Sequence, residues 1–222
     1  MPGYPVILDL RGRLAVVVGG GAVGRRKVAG LLEAGARVRL ISRDPVPAAC
    51  WLQSIELHLR PFHPADLDGA TLAFAATGLA DIDQAVLAAA RARGIPANLA
   101  AAPETGDFTL PAALHRGDLT VAVATGGRAP ALAALVRDRI AAGLGPEWSQ
   151  VLEVAAALRR EKLTDCRESV YSSKVLAELL DAGLANLLAR GETETINHLL
   201  TRVCGRTLSL AELGLTLPDQ TP

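Results

Sequence analysis

The chain has 222 residues, 50% of them hydrophobic, and 23 Lys and Arg balance 23 Asp and Glu. That length suits one large domain or two modest ones, with enough chain to bury a core. Zero net charge and 3% aromatic residues remove the electrostatic and stacking grounds for nucleic-acid binding.

Up to about residue 145, short β-branched runs alternate with alanine-rich stretches of helical length. Strands are predicted at 14–18, 37–41, 56–60, 71–77, 96–100 and 119–125. Each is short, apolar and bounded by Gly, Pro or a charge, as in strands covered on both faces. Helices are predicted between them at 23–33, 80–93 and 130–142. Strand, helix, strand in repetition predicts an α/β fold, a parallel Rossmann-type sheet with right-handed crossovers. Beyond residue 146 the strand signal ends, and 147–162, 173–189 and 192–203 read as helices. Ser172 or Ser173 caps the second, Gly191 closes it, and Thr193 or a nearby polar group opens the third. Residues 209–213 read as one more helical turn, ahead of a short 218–222 tail.

No apolar run nears the roughly 18 residues that span a bilayer. The N-terminus shows no basic segment followed by an apolar one, as a secretory leader would. Cys50, Cys166 and Cys204 form neither a CxxC pair nor an even disulfide framework. A reduced, cytoplasmic protein without membrane or nucleic-acid partners is therefore expected.

The strongest local signal is Gly19, Gly21 and Gly24, a GxGxxG directly after one predicted strand and directly before a helix. The first glycine allows the tight turn, the second lets a pyrophosphate approach the backbone, and the third permits close helix–strand packing. N–H groups at the helix start, on Ala22 and Val23, then face the phosphates, where the helix dipole favours negative charge. An acidic ribose-binding residue is expected at the end of the second strand, about 20 residues on. Ser42 stands there, followed by Arg43, a pair that suits a 2′-phosphate and so leans toward NADP; Asp44 or the Ser42 hydroxyl is the alternative ribose partner. Thr77, closing the fourth strand region, completes the expected cofactor set.

Several segments together resemble one family, the precorrin-2 dehydrogenase and sirohydrochlorin ferrochelatase family, which is also the N-terminal module of siroheme synthase. Residues 4–13 (YPVILDLRGR) resemble that family's entry into its first strand, and 17–27 (VVGGGAVGRRK) its nucleotide loop. Residues 98–103 (NLAAAP) and 107–112 (DFTLPA) are similar to its N-x-x-D-x-P and D-F-x-x-P-A segments. Residues 119–133 (LTVAVATGGRAPALA) resemble its I-S-[ST]-G-G-x-[SA]-P-x-L-A stretch. The resemblance covers about residues 4–145 and thins to a helical tail past 150. It implies NAD-dependent oxidation of precorrin-2 to sirohydrochlorin, with ferrous iron insertion in some members, and so moves the cofactor from NADP to NAD. It further implies a homodimer: a cofactor domain over 1–111, an intertwined dimerisation segment over 112–145 and a helical domain over 146–222.

One position departs from the family. Its key aspartate falls on Ala101, which can neither accept a proton nor ligate a metal. Metal insertion needs a group for the pyrrole protons, whereas hydride transfer depends more on alignment and can survive in weakened form. Glu104 or Asp107 could have taken over the base role, the chain could be a dehydrogenase alone, or Ala101 could be an engineered change. His63 and His115 are further proton-acceptor candidates, and no histidine or cysteine spacing marks a metal site. The substrate, an octacarboxylate, needs cations and backbone donors. Arg25, Arg26 and Lys27 at the helix start and the Thr125, Gly126, Gly127 and Arg128 turn supply them, with Asn98 beside the lost aspartate. Two further readings stay open: an inactive module that holds sirohydrochlorin or NAD, and an unrelated Rossmann oxidoreductase.

Overall fold

The computed structural model describes residues 3–164 and 171–217; Cys166 and the 218–222 tail lie outside the described residues. The chain divides into two units, residues up to 110 together with 126–128, and residues 111–125 together with 129 onward.

The first unit is built on five parallel strands in the order β3-β2-β1-β4-β5, with β1 Leu14–Val18, β2 Arg37–Ser42, β3 Glu56–Leu59, β4 Leu72–Ala75 and β5 Ala97–Leu99. All five residues of β1 are buried, because both faces of this central strand are covered. On one face Leu14, Val16 and Val18 pack with Val86, Leu87 and Ala90 of helix α2, Ala80–Arg91. On the other, Ala15 and Val17 pack with Val28 and Leu31 of helix α1, Ala22–Glu33. The alternation of inward residues follows from the two-residue period of a strand. Neighbours β1 and β4 come from opposite directions of winding, so the crevice at their carboxyl ends is the switch point where ligands settle in such sheets.

The second unit opens with an antiparallel pair, β6 Ala112–Arg116 and β7 Leu119–Val123, in register from Ala112 opposite Val123 to Arg116 opposite Leu119. The sequence places 119–125 among the strands of the parallel sheet and predicts no strand at 112–116. The structure corrects both, because Gly117 and Asp118 form a two-residue turn that folds the chain back on itself. Helix α3, Pro130–Ala141, follows, and then α4, Trp148–Thr164. The helix expected over 173–189 is two, α5 Ser173–Asp181 and α6 Leu184–Arg190, divided at Gly183 with φ +88°. The last helix, α7, is Thr193–Cys204. Ser172 caps α5 by accepting the Val175 N–H at 3.2 Å, and Gly191 ends α6 in the left-handed conformation. The core of this unit joins Val151, Val154 and Leu158 of α4 to Leu179, Leu184, Leu188, Ile196 and Leu200. Positions 151, 154 and 158 recur at helical spacing and so form one apolar stripe. Residues 209–213 make a turn, closed by the Leu213 N–H on the Ser209 carbonyl, and no longer helix. Among the described residues no helix is long and apolar enough to cross a membrane.

Candidate cofactor and substrate site

The turn between β1 and α1 depends on its glycines. Gly19 has φ +115°, and a Cβ there would run into the Ala76 carbonyl. Gly24 has no room either, since its Cβ would strike the Gly19 carbonyl. Gly21 is different: nothing lies within 4 Å of where its Cβ would stand. It is also the N-cap of α1, with extended backbone and no side chain bonded to the helix start. Gly19 and Gly24 therefore pull the loop tight, while Gly21 leaves open space in front of uncapped N–H groups. That arrangement fits a diphosphate, whose charge matches the helix N-terminus. No acidic residue sits in the first turn of α1 to repel it.

The ends of β2 and β4 converge on this turn. Ser42, 5% exposed, lies against Gly20, and its Oγ donates to the Asp44 carbonyl at 2.6 Å. Arg43 reaches solvent and faces Asp44 at 4.0 Å. Thr77 follows Ala76, which meets Gly19. Its hydroxyl donates to Asp83 Oδ1 at 2.7 Å and accepts the Leu79 N–H at 3.1 Å. The hydroxyl of Thr77 is thus engaged within its own loop. Asp83, buried in the first turn of α2, was not singled out from sequence, since an acidic residue there reads equally as ordinary helix-start chemistry.

Past β5 the chain makes a stapled excursion. Asp107 and Ala97 exchange two hydrogen bonds: Asp107 Oδ2 accepts the Ala97 N–H at 3.0 Å, and the Asp107 N–H reaches the Ala97 carbonyl at 2.8 Å. Arg91 adds two bonds to Asp107 Oδ1 and one to the Thr105 carbonyl. The Ala97 N–H, and to a lesser degree the Arg91 guanidinium, hold the Asp107 carboxyl below the usual carboxylate range against the opposing effect of burial. Asp107 is therefore occupied as a clamp and is a poor proton acceptor. Ala101 sits exposed within the excursion, and Glu104, also exposed, opens a short 3₁₀ turn at Pro103–Thr105. Glu104 has no hydrogen-bond partner among the described residues and keeps its carboxylate available.

Asn98, only 3% exposed, is consumed on both ends: its Oδ1 accepts Lys27 Nζ at 2.9 Å and its Nδ2 donates to the Phe108 carbonyl at 2.9 Å. It therefore ties the excursion to α1. Lys27, noted in the sequence as one of three cations at the helix start, is half-buried over Phe74, with Arg25 likewise half-buried and Arg26 exposed. The signal was present: Lys27 lies in the inward stripe with Gly24, Val28 and Leu31. Elsewhere, Thr125 Oγ1 accepts the Ala129 N–H at 3.2 Å, and Gly126 and Gly127 follow at φ +61° and +77°. Two left-handed residues in succession turn the backbone sharply ahead of Arg128 and helix α3, and open space surrounds both. Among the described residues no three His, Cys, Asp or Glu side chains gather as a metal cluster.

Comparison with known proteins places these features in a lineage. The family described as "Putative NAD(P)-binding" matches residues 6–112, and the one described as "Sirohaem biosynthesis protein central" matches 116–142. A siroheme synthase of Methylobacillus flagellatus is 40% identical over 162 residues, covering 72% of this chain and 35% of that protein. A siroheme synthase of Nitrosomonas eutropha is 36% identical over 215 residues, covering 95% of this chain and 45% of that one. The chain thus spans less than half the length of these curated relatives. Among solved structures, one titled "SirC, precorrin-2 dehydrogenase" shares the fold with a TM-score of 0.69 at 22% identity, covering 90% of this chain and 98% of that one. The chain belongs to the siroheme synthase family, in the part where an NAD(P)-binding domain runs into the sirohaem-biosynthesis central segment.

Proposed function

We propose that this chain is an NAD-dependent dehydrogenase that oxidises precorrin-2 to sirohydrochlorin. The single observation that carries the reading is the turn at Gly19–Gly24: closed at its first and last glycines, open at Gly21, and facing an uncapped helix start. Gly19, Gly21, Ala22, Val23 and Gly24 would hold the dinucleotide, with Ser42, Arg43 and Thr77 around its rim. Asp44 beside Arg43 offsets the cation that a 2′-phosphate would need, which favours NAD over NADP. Bound NAD supplies a hydride acceptor, so that precorrin-2 loses a hydride and a proton in becoming sirohydrochlorin.

The chain's own groups then have separate tasks. The Thr125–Arg128 turn offers backbone N–H groups and a guanidinium to substrate carboxylates. Asn98 and Asp107 fix the excursion around Ala101, and Glu104 is the carboxylate there left free to take the proton. Ferrochelatase chemistry is not part of the proposal, because Ala101 offers no ligand and no base. Domains follow the same plan, 1–111 for the cofactor, 112–145 for pairing with a second copy and 146–222 as a helical domain. Homodimerisation is supported by α3, which buries only Ala133 and leaves Leu132 and Leu135 half exposed.

Anaerobic mixing of the purified protein with precorrin-2 and NAD should produce NADH and sirohydrochlorin in equal amounts. No turnover at high enzyme would count against the proposal. The exposed, uncharged side chain at Ala101 favours one second reading, a module that binds sirohydrochlorin without oxidising its precursor. Tight sirohydrochlorin binding with no NADH formation would select it.

A further inference from the structure

We infer that the Lys27 ammonium is an oxyanion receptor of this site, held on neutral partners until a phosphate or carboxylate of a ligand meets it. The inference deepens the proposed function and rests on it. Lys27 donates one hydrogen bond, to the Asn98 side-chain carbonyl at 2.9 Å, and lies 5.2 Å from the centre of the Phe74 ring. Phe74 is itself braced edge-on by Phe108, with ring centres 5.4 Å apart. These contacts steady a cation without neutralising it. Among the described residues no carboxylate pairs with Lys27, and the charge that acts on it is another cation, Arg26. Burial, and to a lesser degree Arg26, accordingly lower the Lys27 pKa from its ordinary value.

Asn98 makes one hydrogen bond at each end of its amide, accepting from Lys27 and donating to the Phe108 carbonyl. An ammonium carries three donors, so two remain on Lys27. A strut between α1 and β5 would need only a neutral donor, and a half-buried charge is a costly way to supply one. A charge in that position is explained if an anion completes it. Its placement on α1, above Phe74 of β4 and Asn98 of β5, sets it on the β4–β5 side of the glycine turn. The two anion sources are the phosphates of the dinucleotide and the carboxylates of the macrocycle.

The test uses the full chain with two probes applied separately, NAD and a porphyrin octacarboxylate. Calorimetry compares wild type with Lys27→Met, Lys27→Gln and Lys27→Arg. The receptor role predicts that Met and Gln each weaken one probe at least about ten-fold while Arg retains it. Loss confined to NAD assigns the phosphates, and loss confined to the porphyrin assigns the carboxylates. Full affinity in Lys27→Gln, which keeps a neutral donor but no charge, would show a strut and overturn the inference while leaving the proposed function intact. Failure of the wild type to bind either probe would overturn both. If the variants do not fold, side-chain NMR of Lys27 in the wild type decides: its resonance must move when one probe binds, and an unmoved signal at saturation contradicts the role.

Discussion

Asp107 and Glu104 stand three positions apart in the sequence and look interchangeable there as replacements for a missing aspartate. The structure separates them by their partners, since Asp107 spends both oxygens on Ala97 and Arg91 while Glu104 has no partner among the described residues. Such partners come from residues up to 16 positions away, so no local pattern could show them. Asp107→Ala should lower unfolding stability by about 1–3 kcal/mol, read by denaturant titration, because it orphans the backbone N–H of buried Ala97. The folded pKa of Asp107 is depressed, so its contribution is present above the ordinary carboxylate range and is lost as pH falls through the depressed value. The destabilisation caused by Asp107→Ala should therefore shrink toward zero in acid; an equal loss at neutral and strongly acid pH would contradict the clamp. At Ala101 the sequence alone was informative, because the residue type excludes proton transfer whatever the surroundings. Ala101→Asp should raise iron insertion into sirohydrochlorin above the wild-type rate, and an unchanged rate would show that the excursion does not aim position 101 at the macrocycle. Lys27 lies between these cases: its place in an inward stripe was legible, and its neutral partners on β4 and β5 were not.

At the level of elements, the five strands of the parallel sheet and helices α1–α3 were legible because each carries its own length, propensity and boundary signals. Ends shifted by a residue or more; β4 is Leu72–Ala75 where 71–77 was expected, although Thr71 and Ala76 still donate to the Leu14 and Val18 carbonyls of β1. The strand at Ala112–Arg116 escaped notice because its composition is weak in β-branched residues, and only the turn at Gly117 and Asp118 betrays the hairpin. The helix break at Gly183 was hidden in the opposite way, by a run of leucine and alanine that reads as continuous helix. The hairpin and α3 also carry the pairing proposal, for α3 buries little within its own unit. Light scattering at micromolar concentration should give twice the mass of one chain; a monomer at that concentration would remove residues 112–145 from any dimerising role.

For the whole molecule, sheet order is what connects sequence to chemistry. The order β3-β2-β1-β4-β5 brings the Gly19 turn, the end of β2 at Ser42 and the loop after β4 at Ala76 and Thr77 to one rim, although they lie far apart in the chain. Repeated strand–helix spacing foretold a parallel sheet, and the GxGxxG position foretold which crossover would face a ligand. Side-chain commitments on that rim, such as the Thr77 hydroxyl turned to Asp83, were not legible because they depend on how α2 settles. The central claim is that the β1–α1 turn grips a dinucleotide diphosphate, and Gly21 allows it to be tested without disturbing the fold. Its φ of −69° suits any residue and its surroundings are empty, so Gly21→Asp should melt like the wild type. Calorimetric titration with NAD should show saturable binding to the wild type and at least about a hundred-fold loss in Gly21→Asp, from blocking and like-charge repulsion. Equal NAD affinity in a well-folded Gly21→Asp protein would contradict the account.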